Sequence, residues 1–228
     1  MVSLCFACSK SSDLNSGSIV SVLVDRTNMM ALKPDSTTLI KLSGVDISLW
    51  DGARVELTLI SDKDVNNVYV TKIPTENSWY GNSTMREAQV QKFKNEIGVS
   101  IGKLYHDSIT ELNHSIIWKT IINKLNQISK GKYQKKVCLV YSDLLENGIL
   151  NFYDLDTRCK IFKHPEFIKN EFLKMAPLND YSGIDVHLLF APSSYDENNL
   201  YMAIVGIYKE ILESHHATVF IESNIVTP

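Results

Sequence analysis

Long apolar runs, dense basic stripes and a cysteine framework are all missing from this chain, and each absence removes a class of protein. No stretch approaches the roughly 20 apolar residues that a membrane-spanning helix requires. A formal net charge of -3 with no crowded Lys/Arg face argues against a large phosphate-binding surface, so no nucleic acid is expected as a partner. The densest basic group, Lys130, Lys132, Lys135 and Lys136, precedes a strand and reads as a solvated loop. The four cysteines divide into a terminal pair, Cys5 and Cys8, one inside an apolar run, Cys138, and one in a polar segment, Cys159. That spacing is no disulfide framework, and Cys5-x-x-Cys8 has no second ligand pair for zinc. The Gly-x-Gly-x-x-Gly fingerprint, the phosphate loop and the Gly-x-Ser-x-Gly elbow are also missing, which removes most support for the enzyme classes they mark.

What is present is enough apolar chain, within 228 residues, to bury one sizeable core. Residues 1–17 read as a signal remnant or tether and 18–228 as one domain. Ile19–Val24 is a short β-branched run of the kind buried on both faces of a sheet, and it ends at Asp25-Arg26-Thr27. Pro34-Asp35-Ser36 opens a helix with Leu39, Leu42 and Val45 at helical spacing, and Val55–Ile60 and Val68–Ile73 form two strands, the second an antiparallel edge. Pro74–Ser83 is a loop carrying Trp79 and Tyr80, followed by a helix from about Thr84 whose buried face is Met85, Phe93, Ile97, Ile101 and Leu104. Ile117, Ile121, Leu125 and Ile128 mark a second helix, capped by Asn113 or Ser115 and ended by Gly131. A third buried strand, Val137–Tyr141, stops at Ser142-Asp143, a helix is centred on Phe167–Phe172, and Ile184–Phe190, a helix through Leu200–Ile211 and Thr218–Ile221 complete the chain. This alternation predicts an α/β fold: a mostly parallel sheet of about six strands with one antiparallel edge, and helices on both faces in three layers.

Ligands of such sheets bind beyond the carboxyl ends of the strands where strand order reverses. Two strands end there in carboxylates, Asp25 and Asp143, which are expected to share a shallow crevice. Carboxylate and hydroxyl oxygens suit Mg²⁺ or Mn²⁺. The competing reading is that both aspartates, and the hydroxyls of Thr27 and Ser115, cap turns and helices. Arg26 is either a surface ion-pair partner or a contact for another protein, and Trp79 with Tyr80 is either an aromatic recognition patch or the cover of a helix end. His215-His216 reads as a surface pair whose rings point apart, and His187 as a satisfied imidazole within a strand.

Asp25-Arg26-Thr27, Ser115-Ile116-Ile117 and Ser142-Asp143 together resemble the metal-site segments of von Willebrand factor A-type domains. That resemblance spans most of residues 18–224 and implies metal ligation by Asp25, Thr27, Ser115 and Asp143, completed by a carboxylate from a protein partner. The sequence departs from it at Met29, a soft thioether where the family carries a second serine, so weak or absent metal dependence is expected. Leu4-Cys5-Phe6-Ala7-Cys8 with the polar chain behind it resembles the end of a bacterial lipoprotein signal, though its apolar part is short and lacks a basic lead. It implies lipidation of Cys8 and a cell-envelope location if translation starts upstream of Met1; the other reading is a disordered cytoplasmic terminus. Two functions follow: a protein-binding module that uses Arg26, Trp79 and Tyr80 at the crevice, or a Mg²⁺-dependent enzyme of phosphoryl or nucleotide chemistry built on Asp25 and Asp143, which shows no evident base and which a buried base such as His114 would favour.

Overall fold

The computed structural model describes residues 17–26, 32–60, 67–106, 116–148 and 150–223. Cys8, Thr27, Met29, His114 and Ser115 lie outside them. Along the chain run β1 (Gly17–Asp25), α1 (Ser36–Ser43), β2 (Gly52–Ile60), β3 (Val68–Ile73), α2 (Ser83–His106), α3 (Ile117–Lys130), β4 (Lys135–Tyr141), α4 (Leu155–Lys163), α5 (Pro165–Met175), β5 (Ile184–Leu189), α6 (Tyr195–Ser214) and β6 (Thr218–Glu222). The strands form one sheet in the order β3-β2-β1-β4-β5-β6, with every pairing parallel except β2 with β3. This is the expected α/β architecture with its antiparallel edge.

Side-chain alternation along the strands divides the core between the two faces. Val20, Val22 and Val24 of β1 pack with Leu39 of α1 and Phe93 and Ile97 of α2. Ile19 and Leu23 point the other way, onto a core that includes Trp118 and Ile121 of α3, Phe172 of α5 and Tyr208 of α6. Because β1 is flanked by β2 and β4 and is buried along nearly its whole length, its apolar run carries no polar face.

One local expectation is corrected. The first residue of the α2 stripe is not Met85, which is 64% exposed, but Arg86, which is fully buried. Arg86 donates through Nε to the Leu49 carbonyl (2.7 Å) and through Nη2 to that of Asp51 (2.7 Å), tying α2 to the loop before β2. The helix centred on Phe167–Phe172 is α5, and a further helix, α4, ends just before it. His164 separates them, because Pro165 lacks the N–H that a continuous helix needs yet suits the first position of α5. Finally, the cap position of α3 is Ile116, which makes no side-chain cap bond, while Asn113 and Ser115, the expected caps, lie outside the described residues.

Candidate functional site at the β1/β4 switch point

Strand order reverses between β1 and β4, and their carboxyl ends carry the two aspartates the sequence singles out. Asp25 is the last residue of β1 and Asp143 lies two beyond the end of β4; they are 2% and 6% exposed. The structure brings them together through Ser142. Its Oγ donates to Asp25 Oδ2 at 3.0 Å and accepts the Leu144 N–H at 2.9 Å, while Asp143 Oδ1 accepts the Leu145 N–H at 3.0 Å. Leu144 itself adopts a left-handed φ of 60°, rare for a leucine, while its side chain is fully buried. Backbone strain of this kind, on the order of 1–3 kcal/mol, persists where packing over-determines it and clusters at functional sites.

Glu146 is the group that sequence reasoning missed. It leaves the same loop, and its carboxylate accepts the Ile117 N–H at 3.2 Å and, over a very short contact, the Trp118 N–H. Those amides begin α3, so a side chain from beyond β4 replaces the missing local cap and meets the positive end of the helix. Burial pushes the Glu146 carboxyl up to about 8, the two amide hydrogen bonds oppose that rise, and the nearby Asp25 charge adds to it. The Tyr208 hydroxyl lies close enough to Glu146 to oppose that rise as well, though it makes no well-formed hydrogen bond among the described residues. An isolated Glu in a loop carries no sequence signal for capping a helix that lies 28 residues earlier.

A pocket opens beside Asp143, lined also by Leu145, Phe190, Glu197, Leu200 and Tyr201 from the ends of β4 and β5 and the first turns of α6. Its surroundings are apolar and exposed: Tyr153 lies close enough to Asp143 and Asp25 for their charges to raise its pKa, next to it is Leu155, and Tyr195 begins α6. Burial is the larger cause of the Tyr153 shift.

The three residues expected to meet a partner do not lie together. Arg26 stands at the crevice end, with Nη1 donating to the Leu104 carbonyl at 2.8 Å and its guanidinium over the Tyr105 ring at 5.3 Å, so it serves the last turn of α2. Trp79 and Tyr80 are 90% and 92% exposed, but β3 runs antiparallel with Ile73 opposite Ala53, which puts their loop at the other end of the sheet. They are not part of the crevice. His215 Nδ1 meets the Asn179 carbonyl and His216 Nδ1 the Asp180 carboxylate, and His187 meets Glu222 at 3.1 Å while stacking on Phe220.

As donors for Mg²⁺ or Mn²⁺, the described residues fall short. Asp25 and Asp143 each have an oxygen engaged by a neighbour, the Ser142 hydroxyl is engaged twice, and no group of three or more His, Cys, Asp or Glu side chains among the described residues is arranged to hold a metal ion. Thr27 and Ser115, the other two expected ligands, lie outside those residues. Among the described residues no helix is long and apolar enough to cross a membrane. No protein-family model matches the chain, and no curated protein sequence matches it.

Proposed function

We propose that the chain is a protein-binding module of von Willebrand factor A-like type, which docks its partner on the rim of the β1/β4 crevice with little or no dependence on a metal. The observation that carries this reading is the crevice itself: buried carboxylates, a strained loop and a pocket, with exposed Tyr153 near both aspartates, Leu155 following it at the start of α4 and exposed Tyr195 opening α6. Exposed apolar side chains around a polar centre are how protein interfaces are built. The strand order, with its antiparallel β3 edge, supports the family resemblance. The enzyme alternative finds no comparable support. Glu146, whose carboxyl is raised, is buried and held by the amides of α3 rather than presented to a substrate. Lipidation at Cys8 is part of the same proposal. β1 starts at Gly17 on the end of the sheet opposite the crevice, so a tether there leaves the crevice facing away from a membrane.

Photo-cross-linking tests the docking face. A benzophenone amino acid placed at position 195 is expected to capture a partner from cells that express the chain, and the same group at position 79 is not. Capture from position 79 alone, or Mg²⁺-dependent phosphoester turnover lost in Asp25→Ala, would overturn the reading.

A further inference from the structure

We propose that the pocket formed by Asp143, Glu197 and Tyr201 receives a lysine or arginine side chain from the partner protein. The assignment rests on the docking reading above and deepens it. Tyr201 is 4% exposed, and its hydroxyl has no hydrogen-bond partner among the described residues. A buried hydroxyl without a partner costs on the order of 1–3 kcal/mol, and an N–H donor entering the pocket offsets part of that cost by satisfying its oxygen.

The other groups decide the charge of the occupant. Two carboxylates line the pocket, the buried Asp143 and the exposed Glu197. Glu197 Oε2 is fixed by the Ser193 N–H (2.8 Å) and Oγ (2.7 Å), and these bonds hold its carboxyl below the ordinary range, so it presents a negative charge. It also offsets the positive N-terminal end of α6, which starts two residues earlier. A carbonyl or carboxylate of a partner would satisfy Tyr201 as an acceptor but would face both acids. An apolar side chain would leave the hydroxyl as it is. A guanidinium or ammonium meets every requirement: it donates to the Tyr201 oxygen, lies between two carboxylates, and brings no acceptor of its own.

The walls fit the rest of such a side chain. Leu145, Phe190 and Leu200 match a methylene stem, and none of the six lining residues is basic. Phe190 and Tyr201 meet at 5.0 Å between ring centroids and 52° between planes, offering aromatic surface to a cation.

Side-chain analogues test this without knowledge of the partner. n-Butylguanidinium is titrated into the ¹⁵N-labelled protein, with n-butylurea as the uncharged analogue, while the amides of Leu145, Leu200 and Tyr201 are followed by NMR. Saturable shifts confined to the pocket are expected for the cation and not for the urea. Tyr201→Phe weakens binding about fivefold to tenfold, the worth of one hydrogen bond, and Glu197→Gln weakens it about twofold to fivefold. Tyr201→Phe also melts no lower than the parent, since it removes an orphaned hydroxyl. Equal shifts with butylurea, or unchanged affinity in Tyr201→Phe, would overturn the proposal. So would a lower melting point for that variant, which would show that the hydroxyl has an internal partner. Absent probe binding alongside cross-linking through position 195 would remove this proposal alone. Probe binding without any such cross-link would remove the docking reading and, with it, the partner as the source of the cation.

Discussion

Two buried acids show how environment, rather than residue type, sets a role. Glu56 sits in the sheet beneath α3, where burial raises its pKa but Lys124 at 3.0 Å and Arg54 at 2.6 Å outweigh that, so the net shift is downward. Its contribution to stability is present above the ordinary value near 4.5 and is lost as pH falls through the lowered folded value. Removing one partner, as in Lys124→Met, leaves buried charge poorly compensated and is expected to cost about 3–5 kcal/mol by urea unfolding, while Glu56→Leu with Lys124→Met costs markedly less. Glu146 behaves oppositely. Its folded pKa of about 8 exceeds the ordinary 4.5, so its contribution is complete below pH 4.5 and declines as pH rises toward 8. Glu146→Gln keeps an oxygen for the α3 amides and removes the titration. Between pH 5 and 8.5 the parent should therefore lose stability relative to this variant, by on the order of a few kcal/mol. Parallel pH profiles for the two proteins would contradict that account.

Elements were legible in the sequence where one physical signal dominated. The apolar runs of β1 and β4 showed both their strand character and their burial, because a strand covered on both faces needs no polar alternation. Asp35 before α1 and Gly131 after α3 marked helix ends through local chemistry that is complete within a few residues. Legibility failed where the deciding partner was distant. The stripe of α2 is one position out of phase at its start because a charged residue, Arg86, is buried by carbonyls from residues 49 and 51, and hydropathy spacing cannot show that. The cap of α3 arrives from Glu146 for the same reason. Trp118, the second residue of α3, shows how much this helix end carries: it stacks on Phe172 at 4.7 Å, meets Tyr208 edge-on at 4.9 Å, and donates through Nε1 to the Phe172 carbonyl at 2.8 Å. Trp118→Ala is expected to cost about 3–5 kcal/mol in chemical unfolding, and Trp118→Phe less, though it orphans that carbonyl. A loss under about 1 kcal/mol for the alanine variant would mean that α3 is held elsewhere.

For the molecule as a whole, topology separates the two ends of the sheet. Asp25 and Asp143 were readable as a pair because both strands were recognisable and parallel order puts their carboxyl ends together. The placement of Trp79 and Tyr80 follows from the antiparallel direction of β3, which the sequence also predicts: it carries the chain back to the end where Gly17 enters, away from the crevice at which the two aromatics were expected. The pocket beside Asp143 draws on residues from 143 to 201, each unremarkable in its own segment. The outcome is a molecule with an acidic, apolar-rimmed end and, opposite it, an aromatic loop beside the chain entry. The central claim is that the first of these ends meets the partner. It is tested most directly by partner affinity in three proteins, the parent, Leu155→Glu with Tyr195→Glu, and Trp79→Glu, each measured in EDTA and in millimolar Mg²⁺. The account predicts at least about a tenfold loss for the rim variant, the size of a hot-spot truncation, with no change for Trp79→Glu and the same affinities in both buffers. Loss confined to Trp79→Glu, or binding that disappears in EDTA, would contradict it.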